Sequence, residues 1–240
     1  MVNIIQKKIK KVNQLLIKRY GIPPRPEIPP DPVDMLIATI LSQNTNDKNS
    51  YRAFLNLKEN YKTWEEVALL PVAKIESMIK IAGLGKQKSA AIKNFLTSVI
   101  KEKGNISLDY LNSMDDNHVL EELTGFGGVG VKTASCVLQF AMRRNVCPVD
   151  THVHRTVNRI GIVEAATPDK TFYKLKEEMP EGVAHSFHTN LIRLGREICR
   201  PAAPVCLACP LLKVCEYEDK NLDKTAAYKE NKFMLLDSIK

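Results

Sequence analysis

The spacing of apolar residues limits the fold of this chain more than any other feature. From Val33 to Arg200 nearly every segment repeats them three or four positions apart, the period of a helix buried on one face. The alternating pattern of strands is missing, and so are the Asn-Gly and Asp-Gly pairs that turn hairpins between them. The chain is therefore expected to be all-α, built from about ten short helices. Start signals agree with this. Thr63 with Glu66, and Ser113 with Asp116, fit capping boxes, while Pro71 and Pro168 sit where a first helical turn tolerates a residue without an amide hydrogen. At the N-terminus Ile5, Ile9, Val12 and Leu16 fall on one face of an amphipathic, lysine-studded helix. Its charges leave no apolar run long enough for secretion or for crossing a bilayer. It suits a cytosolic or nucleoid protein, or an organelle-targeting segment.

The 240 residues, 44% of them hydrophobic, can fill one large domain or two small ones without staples. The segment PPRPEIPPDP, residues 23–32, is predicted to be an extended linker, because its prolines lack amide donors and restrict their neighbours. Residues 218–240 are predicted to form a polar, loosely docked tail. A weak similarity relates Gly83-Leu84-Gly85 and Lys88-Ser89 to Gly128-Val129-Gly130 and Lys132-Thr133. Both have the look of a helix, a glycine turn and a second helix, and the period is not sustained into a repeat array.

Lys and Arg total 35 against 27 for Asp and Glu, a net charge of +8. That balance favours a polyanionic partner and equally fits a merely soluble surface. The glycines at 125, 127, 128 and 130 narrow the choice, since they stand directly before the apolar helix of Ala134, Val137, Leu138 and Ala141. Glycine permits positive φ and close backbone approach. Amides unpaired at a helix start can then donate to a phosphate oxygen, a contact indifferent to base sequence. The same glycines also suit a plain helix corner. Neither nucleotide-loop spacing, Walker nor Rossmann, is met.

Four of the six cysteines, Cys199, Cys206, Cys209 and Cys215, are spaced C-x6-C-x2-C-x5-C. Four thiolates in so short a loop can converge on one centre, and sulfur-only ligation suits an iron–sulfur cluster or a structural zinc. Disulfides do not suit a reduced compartment. Cys136 and Cys147 lie elsewhere and are expected to be small core residues. The pairs His152 with His154 and His185 with His188 lack further ligands nearby and are taken as structural or DNA-facing.

LSQNTND at 41–47, GLG at 83–85, GVGVKTA at 128–134, VDTHVHR at 149–155, LGR at 194–196 and the cysteine loop together resemble the endonuclease III family of helix-hairpin-helix DNA glycosylases. The resemblance runs in order through residues 5–217. It implies two helical domains with a DNA-binding cleft between them: a six-helix domain at 34–144 carrying the hairpin, and a domain of 1–33 and 145–217 around a 4Fe-4S cluster held by the four cysteines. It implies a monomer acting on double-stranded DNA that carries a damaged base or an abasic site. Lys132 matches the family's nucleophile and Asp150 its catalytic aspartate. Gly128, Val129, Gly130 and Thr133 match the phosphate-binding hairpin. Leu84, with Gln43 or Asn44, matches the wedges that refill the helix when a base is extruded, although a buried polar cap explains Gln43 as well.

A lysine attacks the sugar C1′ only as a free amine, whereas an exposed lysine, near 10.4, is almost wholly charged at neutral pH. The chemistry calls for burial, neighbouring cations, or the positive end of the helix that begins at Val131. A carboxylate at 150 would stabilise the positive charge that grows on the deoxyribose as the base departs. A Schiff base would then acidify the C2′ proton, so the expected activity is bifunctional, glycosylase plus abasic-site lyase. The lysine favours oxidised pyrimidines, with 8-oxoguanine as the alternative substrate. Without the resemblance, Lys132 reads as a solvated lysine and Asp150 as the N-cap of a helix at 151–159. The sequence departs from the family at Gly127, where proline is frequent, and in the first cysteine gap, where Arg200 is the one charge. Phosphate contact there shifts to Lys213 or the hairpin. Two rival classes fit parts of the pattern: a non-catalytic DNA-binding module and a zinc-stapled interaction protein.

Overall fold

The computed structural model describes residues 3–228, so the part of the predicted tail at 229–240 lies outside the described residues. Among those described, eleven α-helices follow one another with no strand: α1 (Ile4–Tyr20), α2 (Pro32–Ser42), α3 (Asp47–Asn60), α4 (Trp64–Leu69), α5 (Val72–Ile79), α6 (Gly85–Lys103), α7 (Asp116–Thr124), α8 (Val131–Cys136), α9 (Thr151–Ile160), α10 (Pro168–Glu178) and α11 (Ala184–Glu197). The all-α expectation holds. No helix among the described residues is long and apolar enough to cross a membrane.

Among the described residues the helices divide into two compact units, one of residues 25–144 and one that joins residues 3–24 to residues 145–228. In the first unit α2 is the core. Apart from Asp34, every residue from Val33 to Leu41 is buried, and a helix apolar all round can be stable only when other helices enclose it. Helices α3, α6 and α8 do so. Asp31 caps α2 by accepting from Val33 N at 2.8 Å and Asp34 N at 3.2 Å. Pro32, predicted as linker, is instead the first helical residue, a position with no hydrogen-bond partner to lose. The boundary also differs from the predicted 34, because residues 25–33 pack with the central helices. Arg143 holds them there, donating to Pro26 O at 2.7 Å and Glu27 O at 2.6 Å.

Local oxygens compete for helix starts, and the structure settles each case. Thr63 caps α4 through Glu66 N at 3.3 Å, and the Glu66 carboxylate accepts from Lys62 N at 2.9 Å. Ser113 does not cap α7. It ends a 3-10 turn, Asp109–Ser113, and its hydroxyl donates back to Tyr110 O at 2.9 Å. Asp115, closer to the helix and charged, accepts from Asn117 N and His118 N instead. Pro71 stands as the N-cap of α5, one residue before the helix, and Pro168 opens α10 behind a Thr167 cap.

In the second unit α11 is the buried centre, packed against α1 and α9. Its polar side chains hold other parts of the chain. Ser186 donates to Asn13 Oδ1 at 3.0 Å, Asn190 to Gly21 O at 3.0 Å, and His188 Nδ1 lies 2.8 Å from Pro148 O. His154 Nδ1 lies 2.8 Å from Thr171 Oγ1. His188 and His154 thus each contact another segment of their own unit. Helix α9 crosses α11 so closely that a Cβ on Gly195 would stand 2.8 Å from His152 Cβ. Cys136 and Cys147 are both buried.

Candidate DNA-facing site and cysteine pocket

The hairpin lies between α7 and α8. Gly128 is its fixed point: its φ is +91°, and an added Cβ would stand 2.6 Å from Ala91 Cβ on α6. Positive φ and close packing therefore demand glycine together. Gly128→Ala should cost about 2–5 kcal/mol, the sum of a left-handed non-glycine residue and an overpacked contact. Gly127, where family members often have proline, has open space around it. Gly127→Ala should change stability by less than about 0.5 kcal/mol, and a pair of thermal melts checks both values.

Helix α8 has Gly130 as its N-cap, which offers no side-chain acceptor, so the amides of its first turn lack partners inside the helix. Gly130 presents no side chain to obstruct them, with nothing within 4 Å of its would-be Cβ. Val129 is less suited to contact a ligand than its motif suggests. Its side chain is buried, and its N–H already donates to Phe126 O at 3.0 Å. Thr133 is buried too, and its hydroxyl accepts from Gln43 Nε2 at 3.4 Å. Lys132 is half-buried in the first turn of α8, with no ion pair among the described residues. The apolar helix predicted after the hairpin is present, with Ala134, Val137, Leu138 and Ala141 all buried; from Val137 to Ala141 it widens into a π turn.

Asp150 is the N-cap of α9, and its Oδ1 accepts from Val153 N at 2.8 Å. The side chain is half-buried, and its second oxygen has no hydrogen-bond partner among the described residues. One oxygen thus serves the helix, and the other makes no hydrogen bond among the described residues.

Two loops of the 25–144 unit carry the candidate wedges. Gln43 is half-buried and tied to Thr133, whereas Asn44 is exposed. Leu84 is 47% exposed, a solvent-facing apolar tip. Asn44 and Leu84 are both left-handed without being glycine, at φ 49° and 50°, a strained geometry that persists only when the surroundings impose it. Beneath these loops lies Lys88, which sequence reasoning passed over as the counterpart of Lys132 in a weak repeat. It is 1% exposed, and burial pushes its ammonium down to about 8. Its Nζ donates to Leu41 O and Ala82 O, each at 2.8 Å. So enclosed, it cannot reach a substrate.

The four spaced cysteines line one pocket, together with Arg159, Ile198, Leu212 and Tyr217. Burial, reinforced by the neighbouring thiols, pushes Cys209 up to about 12. Among the described residues no three His, Cys, Asp or Glu side chains converge to hold a single metal ion. Helix α9 fastens the loop. Arg155 Nε donates to Cys199 O at 2.9 Å, and Arg159 donates to Arg200 O at 2.8 Å, to Pro201 O at 3.0 Å and to Cys199 Sγ at 3.6 Å. The Arg159 guanidinium also lies over the Tyr217 ring, 4.3 Å from its centre. Arg200 is turned into its own loop, donating to Ala203 O at 3.1 Å, while Lys213 is exposed.

With this geometry in place, comparison with known proteins defines the class. Residues 37–181 match the HhH-GPD superfamily base excision DNA repair protein family. The chain is 35% identical over 209 residues to endonuclease III of Thermotoga maritima, covering 87% of this chain and 92% of the relative. It is 32% identical to endonuclease III of Sulfolobus acidocaldarius, over 78% of this chain and 82% of the relative. Among solved structures it superposes on a non-covalent endonuclease III–DNA complex with a TM-score of 0.74 at 26% identity, covering 90% of this chain and 96% of the other. A trapped endonuclease III–DNA covalent intermediate matches equally, at 0.74 and 26%. The chain belongs to the endonuclease III family, and its activity is that of a DNA glycosylase and abasic-site lyase in base excision repair.

Proposed function

We propose that the protein, acting as a monomer on double-stranded DNA, removes oxidised pyrimidines of the thymine glycol kind and then cuts the strand by β-elimination. Lys132 is the nucleophile and Asp150 its carboxylate partner. The observation that carries the assignment is the divided Asp150 carboxylate, one oxygen spent on the α9 cap and one left for chemistry. The Lys132 amine attacks C1′ of the extruded nucleotide, and the base leaves with the electron pair of the glycosidic bond. Asp150 stabilises the positive charge on the sugar as that bond breaks. Ring opening yields a protonated Schiff base, which makes a C2′ proton acidic; its loss expels the 3′ phosphate. Water then releases Lys132.

The uncapped amides of α8, reached over Gly128 and Gly130, donate to phosphate oxygens next to the lesion. Asn44 and Leu84 occupy the space the base vacates; Gln43 supports the first of them through Thr133. A panel of single-lesion duplexes tests the substrate class. Oxidised pyrimidines should be excised at least about tenfold faster than 8-oxoguanine, and the reverse order would overturn the assignment.

The four cysteines would hold a 4Fe-4S cluster, which suits a thiol-only pocket and would bind the loop to α9 through Arg155 and Arg159. When bound, the cluster supplies folding energy to a loop too short to enclose a core of its own. The purified protein should be brown and absorb broadly near ~400 nm, and Cys209→Ser should lose that colour. A colourless protein with one zinc per chain would contradict the cluster. Localisation in the cytoplasm or nucleoid accords with DNA as the partner.

A further inference from the structure

The two wedge loops belong to different helical connections, α2 to α3 and α5 to α6, yet a single buried ammonium joins their stems. Leu41 O, one acceptor of Lys88 Nζ, is in the last turn of α2, three residues before Asn44. Ala82 O, the other, ends the 3-10 turn Lys80–Ala82, two residues before Leu84. Carbonyls that terminate helical turns carry partial negative charge, so a cation is well placed there. Lys88 nonetheless has no carboxylate partner among the described residues and is 1% exposed, an expensive place for a charge. Each loop carries a left-handed residue that is not glycine, Asn44 and Leu84, and such backbones keep their shape only where their stems are fixed.

We propose that Lys88 is the positioning residue for base extrusion, fixing the separation of the Asn44 and Leu84 tips so that both enter the vacated stack together. This rests on the wedge roles proposed above, while Lys88 itself touches no substrate. A purely structural lysine is available for comparison on the same helix. Lys93 Nζ donates to Leu70 O at 2.9 Å and to Ala68 O, pinning the turn between α4 and α5, which carries no proposed DNA contact.

Two rates on duplex DNA separate positioning from folding. Excision of a damaged base requires unstacking and refilling, whereas cleavage at a preformed abasic site has no base to extrude. Lys88→Met should lower excision by about tenfold or more and abasic cleavage by less than about threefold. Lys93→Met should change both rates in equal proportion. In an Asn44→Ala/Leu84→Ala background, Lys88→Met should cost less than about threefold further, because the residues act as one unit. Equal losses of the two rates in Lys88→Met, or a full additional loss in that background, would overturn the proposal. Lys88→Gln, which keeps a donor nitrogen but loses the charge, replaces Lys88→Met in the same measurements if the latter does not fold. Absence of abasic cleavage by the unaltered protein would defeat the assigned function instead.

Discussion

Lys132→Ala will bind abasic duplex DNA within about tenfold of the unaltered protein while its strand cleavage falls about a thousandfold or more. The loss is large because no other step can form the Schiff base, and without an iminium the C2′ proton is not acidic enough to leave. Affinity survives because backbone amides on α8, not the lysine side chain, carry the proposed phosphate contacts. Burial does not allow the pinned Lys88 to substitute. Lys132→Arg should be equally inactive, since its charge cannot be removed at working pH. Gel-shift affinity and single-turnover cleavage on one labelled oligonucleotide give both quantities.

Asp150→Asn is the second large effect. Asparagine caps a helix about as well as aspartate, so α9 keeps its first hydrogen bond and stability should move by less than about 0.5 kcal/mol. What disappears is the negative charge proposed to face the sugar, and base release should slow by about a hundredfold or more with affinity within about tenfold. Asp150→Ala should show the same chemical loss plus about 1 kcal/mol of destabilisation from the missing cap. The difference between the two variants separates the oxygen that serves the helix from the oxygen that serves the reaction. Equal losses of affinity and turnover in Asp150→Asn would mark the residue as structural.

Features confined to a few neighbouring residues were legible in the sequence. The helical period, the glycine turn before α8, the cysteine spacing and the Thr63 cap all depend on neighbours along the chain. Where two local oxygens compete, pattern alone failed: Ser113 matched a capping motif, but Asp115 stands next to the first turn and wins with a charge. Contacts distant in sequence were out of reach. Nothing near residue 26 announces that Arg143 holds the linker against the central helices. Val129 looks like part of an exposed phosphate loop until the packing shows its side chain buried. Lys88 is the clearest case, because a lysine is ordinarily a surface residue and its two acceptors lie 47 and 6 positions away in the chain.

The central claim is that the amine of Lys132 forms the covalent bond to the sugar, and reductive trapping tests it most directly. The protein is mixed with an abasic duplex, reduced with borohydride and digested, and the cross-linked peptide is identified by mass spectrometry. The account predicts a single adduct on Lys132 that vanishes in Lys132→Ala. An adduct on any other residue, or one that persists in Lys132→Ala, would contradict it.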